Sequence, residues 1–257
     1  MASDASPPGK VARNDLDDLE VGRLHLIVIR AVNLVIEAVG RVLDLAVLLP
    51  RPRLLWAYLR LWGAELWRSP YRWPRSFEAR RVVSASGQTL RELMYGEVLV
   101  STCAYLLARA GVGPGSTLVD VGAGRGRALL AARLRGASAR GVELWEPHVR
   151  AMAPALARAG ASLEAGDAAK ADYADATHVL LNWCAFSDET RARVTARLLE
   201  TCRPGTRLIA VTQAAGGDRF RTLSRHTTLF SWGFEQVFVQ ELTGPAGGDT
   251  TSTSSPT

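Results

Sequence analysis

From Leu24 to Leu49 apolar residues dominate, and the polar ones, Arg30, Asn33, Glu37, Arg41 and Asp44, recur at steps of three and four. That spacing stacks all five on one stripe of an α-helix and leaves a very broad apolar face. Pro50 and Pro52 end the helix, because proline lacks an amide donor and clashes with the preceding turn. A second helical stretch follows, with Trp56, Tyr58, Trp62 and Trp67 ahead of Tyr71 and Trp73. After residue 90 the rhythm changes. Runs at 117–121, 138–143, 162–166, 177–182, 206–212, 226–231 and 235–241 read as strands, and helical patterns separate the first five. One of those helices opens on Glu146-Pro147, with proline at an early helical position, and another runs from Asp188 to Cys202. Strand alternating with helix implies parallel strands joined by right-handed crossovers. The expected fold class is therefore α/β, a doubly wound, mostly parallel, seven-stranded sheet with an N-terminal helical appendage. Only Trp232-Gly233-Phe234 separates the last two strands, which are expected to pair as an antiparallel hairpin at one edge.

Ser84-Ala-Ser-Gly87 interrupts the pattern and divides a helical appendage over 14–85 from an α/β domain over 86–242. Residues 1–13 and 243–257 are poor in apolar groups and are expected to be disordered. The formal net charge is +6, and eight arginines between Arg51 and Arg81, opposed only by Glu65 and Glu78, account for it. Cys103, Cys184 and Cys202 form no CxxC pair and leave an odd number, which argues against a disulfide framework and a structural zinc site. No metal is expected, and a reducing cytoplasm fits. The first ten residues lack the apolar core of a secretory signal. The longest charge-free run within 24–49 is far short of the ~20 residues a bilayer span needs, so a simple membrane-crossing helix is disfavoured.

The sharpest chemical signal is Leu118-Val-Asp-Val-Gly-Ala-Gly-Arg-Gly-Arg127, an apolar strand running into Gly122, Gly124 and Gly126 and then into a helix. Glycines at such a turn permit positive φ and let a ligand approach the backbone. A nicotinamide-type GxGxxG would need glycine at 127, where Arg127 stands, and no Gly-Lys-Ser/Thr follows to make a P-loop. A second carboxylate, Glu143, ends the next strand, 23 residues after Asp120. In a doubly wound sheet the ends of strands one and two lie side by side above one crevice, so Glu143 can accept hydrogen bonds from both hydroxyls of a ribose. Asp120 directly before a GxGxG loop resembles motif I of the class I S-adenosylmethionine-dependent methyltransferases, whose Rossmann-like fold and cofactor are thereby implied. That resemblance also sets Asp167, in Gly166-Asp167 after the third strand, against the adenine amino group.

Met94-Tyr-Gly-Glu97 upstream and Leu180-Leu-Asn-Trp-Cys-Ala-Phe186 after the fourth strand narrow the likeness. Both resemble motifs of the disruptor-of-telomeric-silencing lysine methyltransferases, over about residues 94 to 213. The resemblance implies that Tyr95 and Glu97 help close over S-adenosylmethionine. It sets Asn182 beside the methyl donor and the acceptor nitrogen, and makes Phe186 a wall of the acceptor channel. Val98 stands where that family has threonine, Trp183 where it has a second asparagine, and Cys184 where it has an aromatic, so an altered acceptor site is expected. The region is also similar to membrane-anchored mitochondrial lysine methyltransferases, which carry a hydrophobic N-terminal segment.

A lysine acceptor must be neutral to react, and an apolar channel beside a sulfonium disfavours the ammonium form. Tyr95, Trp183 and Phe186 are the expected walls, with Asn182 orienting the amine. His25, His148, His178 and His226 all lie outside the motifs, so no general base is nominated. The acceptor expected is a protein lysine. A small molecule or lipid is the alternative, and a non-catalytic binding module is the third reading. Residues 24–81 are expected to lie against the inner face of a membrane, because arginine and tryptophan suit the headgroup layer. The competing expectations are packing on the sheet, homodimer formation or a nucleic-acid contact.

Overall fold

The structure, a computed structural model, describes residues 23–68 and 98–244, with side chains for all of these except 23–34, 65–68 and 185. Tyr95, Glu97, the segment 1–13, the boundary near 85 and all but the first two residues of the 243–257 tail lie outside the described residues. Two helices lead, α1 (Arg23–Leu48) and α2 (Pro52–Arg68), followed by α3 (Val100–Arg109). The alternating unit then runs β1 (Thr117–Val121), α4 (Arg127–Leu134), β2 (Ser138–Glu143), α5 (Glu146–Arg158), β3 (Ala161–Ala165), β4 (His178–Asn182), α6 (Asp188–Thr201) and β5 (Arg207–Val211). It closes with β6 (Phe220–Phe230) and β7 (Gly233–Leu242).

The seven strands form one sheet in the order β3-β2-β1-β4-β5-β7-β6. The first five pair in parallel, while β7 runs antiparallel to both β5 and β6. This is the doubly wound sheet with an edge hairpin that the periodicity predicts. The one large boundary difference is β6, which begins at Phe220 and not at 226, with a bulge between Thr222 and Ser224. Its first half holds exposed Arg221, Thr222 and Leu223, and an edge strand open to water needs no apolar alternation to form.

Central strands buried on both faces read as continuous apolar runs, and their side chains alternate between two cores. Leu118, Leu180, Ile209, Val237 and Val239 point to the layer that holds Leu106, Leu129, Leu130 and Leu156. Val119, Val121, Val179, Leu181, Leu208 and Ala210 point to the other layer, against Val194 and Leu198 of α6. Asp120 lies between Val119 and Val121, so the same alternation turns it toward the first layer, at the strand end where the glycine loop begins.

The N-terminal helices share that first core. Leu48 of α1 and Leu54, Ala57, Tyr58 and Leu61 of α2 are buried in it, each large apolar side chain contributing about 1.5–3 kcal/mol on removal from water. An amphipathic helix ordinarily turns its polar stripe to water; in the described half of α1 Glu37 does so, whereas Asp44 and most of Arg41 turn inward. Asp44 is fully buried, and its Oδ1 accepts the Ser101 backbone N–H at 2.8 Å and the Ser101 hydroxyl at 2.8 Å. It thereby caps the first turn of α3, where Leu99 offers no side-chain acceptor of its own. Arg41 lies with its guanidinium 5.0 Å from the Trp62 ring centre and pairs with Glu37 at 2.6 Å. The opposite side of the helix, with Val35, Val39, Val42, Leu43 and Leu49, is exposed.

Candidate functional site

The parallel strands place their C-terminal ends along one rim, and β1 lies between β2 and β4, where the strand order reverses direction. Ligands of open α/β sheets bind in the crevice at such a switch point. Asp120 of β1, Glu143 of β2 and Asn182 of β4 all stand at this rim.

The loop from β1 to α4 is shaped by its glycines. Gly122, Gly124 and Gly126 have φ of 70°, 53° and 80°, a left-handed backbone that L side chains rarely adopt. The Gly122 and Ala123 amides both donate to Val142 O, at 2.9 and 3.0 Å, which ties the loop to β2. Glu143 completes the tie: its Oε2 accepts from Gly124 N at 2.7 Å and its Oε1 from Trp145 N at 2.9 Å. A Cβ built on Gly122 would come within 2.9 Å of Phe186 Cζ, so Phe186 sits directly on the glycine loop. Residues 64 apart in sequence thus meet, and the loop and the segment after β4 share one wall of the crevice.

After β4 the chain makes a 3-10 turn, Trp183–Ala185, whose first amide, from Cys184, points at Asn182 Oδ1 at 3.4 Å. The strand-end asparagine is thereby fixed by its own turn. Cys184 Sγ lies 3.0 Å from Thr212 Oγ1. Thr212, immediately after β5, has φ of 79°, the one positive value on a non-glycine among the described residues. Such a conformation costs a β-branched residue on the order of 1–3 kcal/mol. Sequence gave no sign of Thr212, because strain on a single residue leaves no pattern.

One expectation changes. Trp183, expected as a channel wall, is fully buried in the α6-side core with Val119, Leu181 and Leu198. The ring instead supports Phe186 edge-on, with centres 5.5 Å apart and planes at 86°. Asp167 does not present an idle carboxylate: one oxygen accepts from Ala169 N at 2.9 Å and the other pairs with Arg193 at 2.9 Å.

The two rim carboxyls are desolvated. Burial, and then the charge of Glu143, push the Asp120 carboxyl up to about 7. Burial likewise raises Glu143, against the lowering effect of backbone N–H groups at Trp145, Gly124 and Leu144. Arg125 in the loop and Arg127 at the start of α4 are buried, with the Arg127 guanidinium 5.7 Å from the Tyr58 ring centre. Tyr58 is pushed up to about 12, chiefly by burial and then by Asp44. Thus α2 abuts the start of the helix that follows the glycine loop.

Three of the four histidines have described side chains. Burial and then Arg125 lower His148 to about 3. His178 starts β4 at the opposite end of the sheet and contacts Ala110 O at 3.2 Å. His226 lies on edge strand β6, beside Ser224, and the side chain of His25 is outside those described. Among the described residues no cluster of His, Cys, Asp and Glu could hold a metal.

Arranged this way, the rim suits a neutral or cationic ligand rich in hydroxyls. Glu143 can meet vicinal hydroxyls, and exposed Leu144 beside it offers an apolar platform.

No protein-family model and no curated protein matches the chain. Solved structures do. TrmN from Thermus thermophilus superposes with a TM-score of 0.51 at 18% identity, over 59% of this chain and 51% of that one. The chain thus spans about half the length of that protein. An RNA methyltransferase from Salinibacter ruber, in complex with S-adenosyl-L-homocysteine, aligns at 24% identity and TM-score 0.45 over 57% of this chain and 94% of that one. Magnesium protoporphyrin IX methyltransferase from Synechocystis, with bound S-adenosyl-L-homocysteine, aligns at 14% identity and TM-score 0.48, over 69% and 99%. With the strand order above, the TrmN superposition shows that the α/β unit has a Rossmann-like, doubly wound fold.

Proposed function

We propose that the protein is an S-adenosylmethionine-dependent methyltransferase whose acceptor is a protein lysine. The observation that carries the first part is the rim itself. A left-handed glycine loop is fastened by Glu143 beside a buried Asp120 at the switch point of this fold. The residues fit the cofactor: Gly122 and Gly124 would let it approach the backbone, Glu143 would accept the ribose hydroxyls, and Leu144 and Asp167 would border the adenine. Asp120 supplies negative charge for the cationic end. Bound there, S-adenosylmethionine supplies a methyl group on a sulfonium. The chain's own task is to hold an acceptor nitrogen in line with that methyl and to exclude water.

The lysine assignment rests on the resemblance of the Asn182-to-Phe186 segment and on its position. Asn182, fixed by its turn, can accept a hydrogen bond from an amine at the rim, and Phe186 on the glycine loop gives that amine an apolar neighbour. An apolar surround favours the neutral amine over the ammonium ion, so no base among the histidines is required. A lipid or other amphiphilic acceptor is the second reading, favoured by the exposed apolar side of α1.

Calorimetry with S-adenosylhomocysteine tests the cofactor. The parent should bind, whereas Gly124→Arg, which fills the cradle, and Glu143→Ala should each lose at least about tenfold in affinity, the worth of one charge-assisted contact. Full affinity in both variants refutes the site. Radiolabelled S-adenosylmethionine with cell lysate, followed by separation of protein, lipid and small-molecule fractions, identifies the acceptor; label in acid-stable protein supports lysine, and label confined to lipid refutes it. Asn182→Ala should lower turnover much more than cofactor affinity, and an unchanged rate removes Asn182 from the site.

A further inference from the structure

We infer that the outward side of α1, continued through the turn into α2, is a docking surface for an anionic lipid bilayer. The polarity of the described half of α1 is the first observation. Asp44 and Arg41 are spent on the protein, Asp44 on α3 and Arg41 on Trp62 and on the half-exposed Glu37. Its apolar groups are left to solvent, with Val35 61%, Val42 66% and Leu49 70% exposed, and Val39 and Leu43 beside them. A contiguous apolar ridge of this kind on a water-facing helix marks a contact surface.

The second observation is the charge next to the ridge. Leu49 leads through exposed Pro50 directly into exposed Arg51 and Arg53. On α2 the partly exposed Trp56 carries two guanidinium groups, Arg60 at 4.8 Å and Arg158 at 5.0 Å from its ring centre. Pro52, Arg53, Trp56 and Arg158 line a shallow recess of about 400 Å³. Among the described residues none of Arg51, Arg53, Arg60 and Arg158 is ion-paired with a carboxylate. Apolar ridge, cationic collar and tryptophan are the three requirements of a helix that lies in the headgroup layer. No described helix is long and apolar enough to cross a membrane.

Charge selects this occupant over its rivals. A second copy seated symmetrically on the same face would bring unpaired arginines against their own images. A nucleic acid would satisfy the arginines and leave the valine ridge in water.

The test is co-flotation of the full-length chain with vesicles of phosphatidylcholine alone and of phosphatidylcholine with a third phosphatidylglycerol, at low and high salt. The expected result is capture by the anionic vesicles, weaker capture by the neutral ones, and partial retention at high salt, since apolar burial is not screened. Val39→Glu with Val42→Glu should cut capture at least about tenfold, the worth of burying one such side chain, with an unchanged thermal midpoint because both positions face water. Arg51→Glu with Arg53→Glu should remove the preference for anionic vesicles. Absence of capture overturns the inference, as does capture that neither double variant weakens. Dimerisation that the valine variant abolishes, without vesicle binding, assigns the face to a second copy, and retention of duplex DNA without vesicle binding assigns it to nucleic acid; either also overturns it.

Discussion

Replacing Asp120 with asparagine separates what this residue costs the fold from what it gives the ligand. The side chain is 5% exposed, and its carboxyl is held near 7 in place of its ordinary 3.8, by burial first and Glu143 second. A folded-state value above the unfolded one means that the folded chain binds the extra proton between the two. Stability contributed by the protonated form is therefore full below about 4 and is lost as pH rises through about 7. At ~1.36 kcal/mol per pH unit, ionised Asp120 withdraws about 4 kcal/mol from the ligand-free fold by pH 8. Asp120→Asn keeps the shape and removes the charge. For a domain of this size about 4 kcal/mol corresponds to a rise in thermal midpoint of roughly 8–16 °C at pH 8. At pH 4 the two proteins should melt together. Differential scanning calorimetry of parent and variant from pH 4 to 8 gives the difference curve directly. A cationic ligand reverses the preference, because it favours the ionised carboxylate. Affinity for S-adenosylmethionine should therefore rise in the parent between pH 6 and 8 and stay flat in Asp120→Asn. A difference curve that does not change with pH refutes the argument, since it would mean that Asp120 is ionised throughout or is not buried at the rim.

Two further substitutions probe the frame around this residue. Gly122→Val places a Cβ 2.9 Å from Phe186 Cζ at φ of 70°; backbone strain alone costs about 1–2 kcal/mol, so a lower thermal midpoint and loss of S-adenosylhomocysteine binding are expected, and retention of both would show that Phe186 does not lie on the loop. Asp44→Ala removes the acceptor for Ser101 N and Oγ, leaving an unpaired amide at the start of α3 at a cost of about 1–3 kcal/mol; a lower urea midpoint is expected, and an unchanged one would separate α1 from the domain.

The alternating unit was legible because each of its signals is local. Val119, Val121, Val179, Leu181 and Leu208 form apolar runs that only a strand covered on both faces can bury. Asp120, the three glycines and Glu143 were legible for the same reason: a strand end, a left-handed turn and the next strand end fall in a fixed order along the chain, and the fold class sets them at one rim. The first half of β6 was not, because an edge strand facing water has no burial to record in its sequence.

Side-chain partners were decided only by the tertiary structure. The five-residue polar stripe of α1 predicts a helix correctly, yet periodicity says only that one side differs from the other. Which side faces inward depends on what waits there, and for Asp44 that is the uncapped start of α3, 57 residues away. Trp183 shows the same limit from the apolar side. A large ring after a strand end can close a crevice or fill a core, and the 3-10 turn begun at Asn182 sends it to α6, leaving Phe186 to meet Gly122. Hydrophobic pattern records how much of a face leaves water, since that free energy scales with area whatever covers it. A hydrogen bond or a ring contact depends on one partner at one distance, and no position along the chain encodes that distance until the sheet has brought the two together.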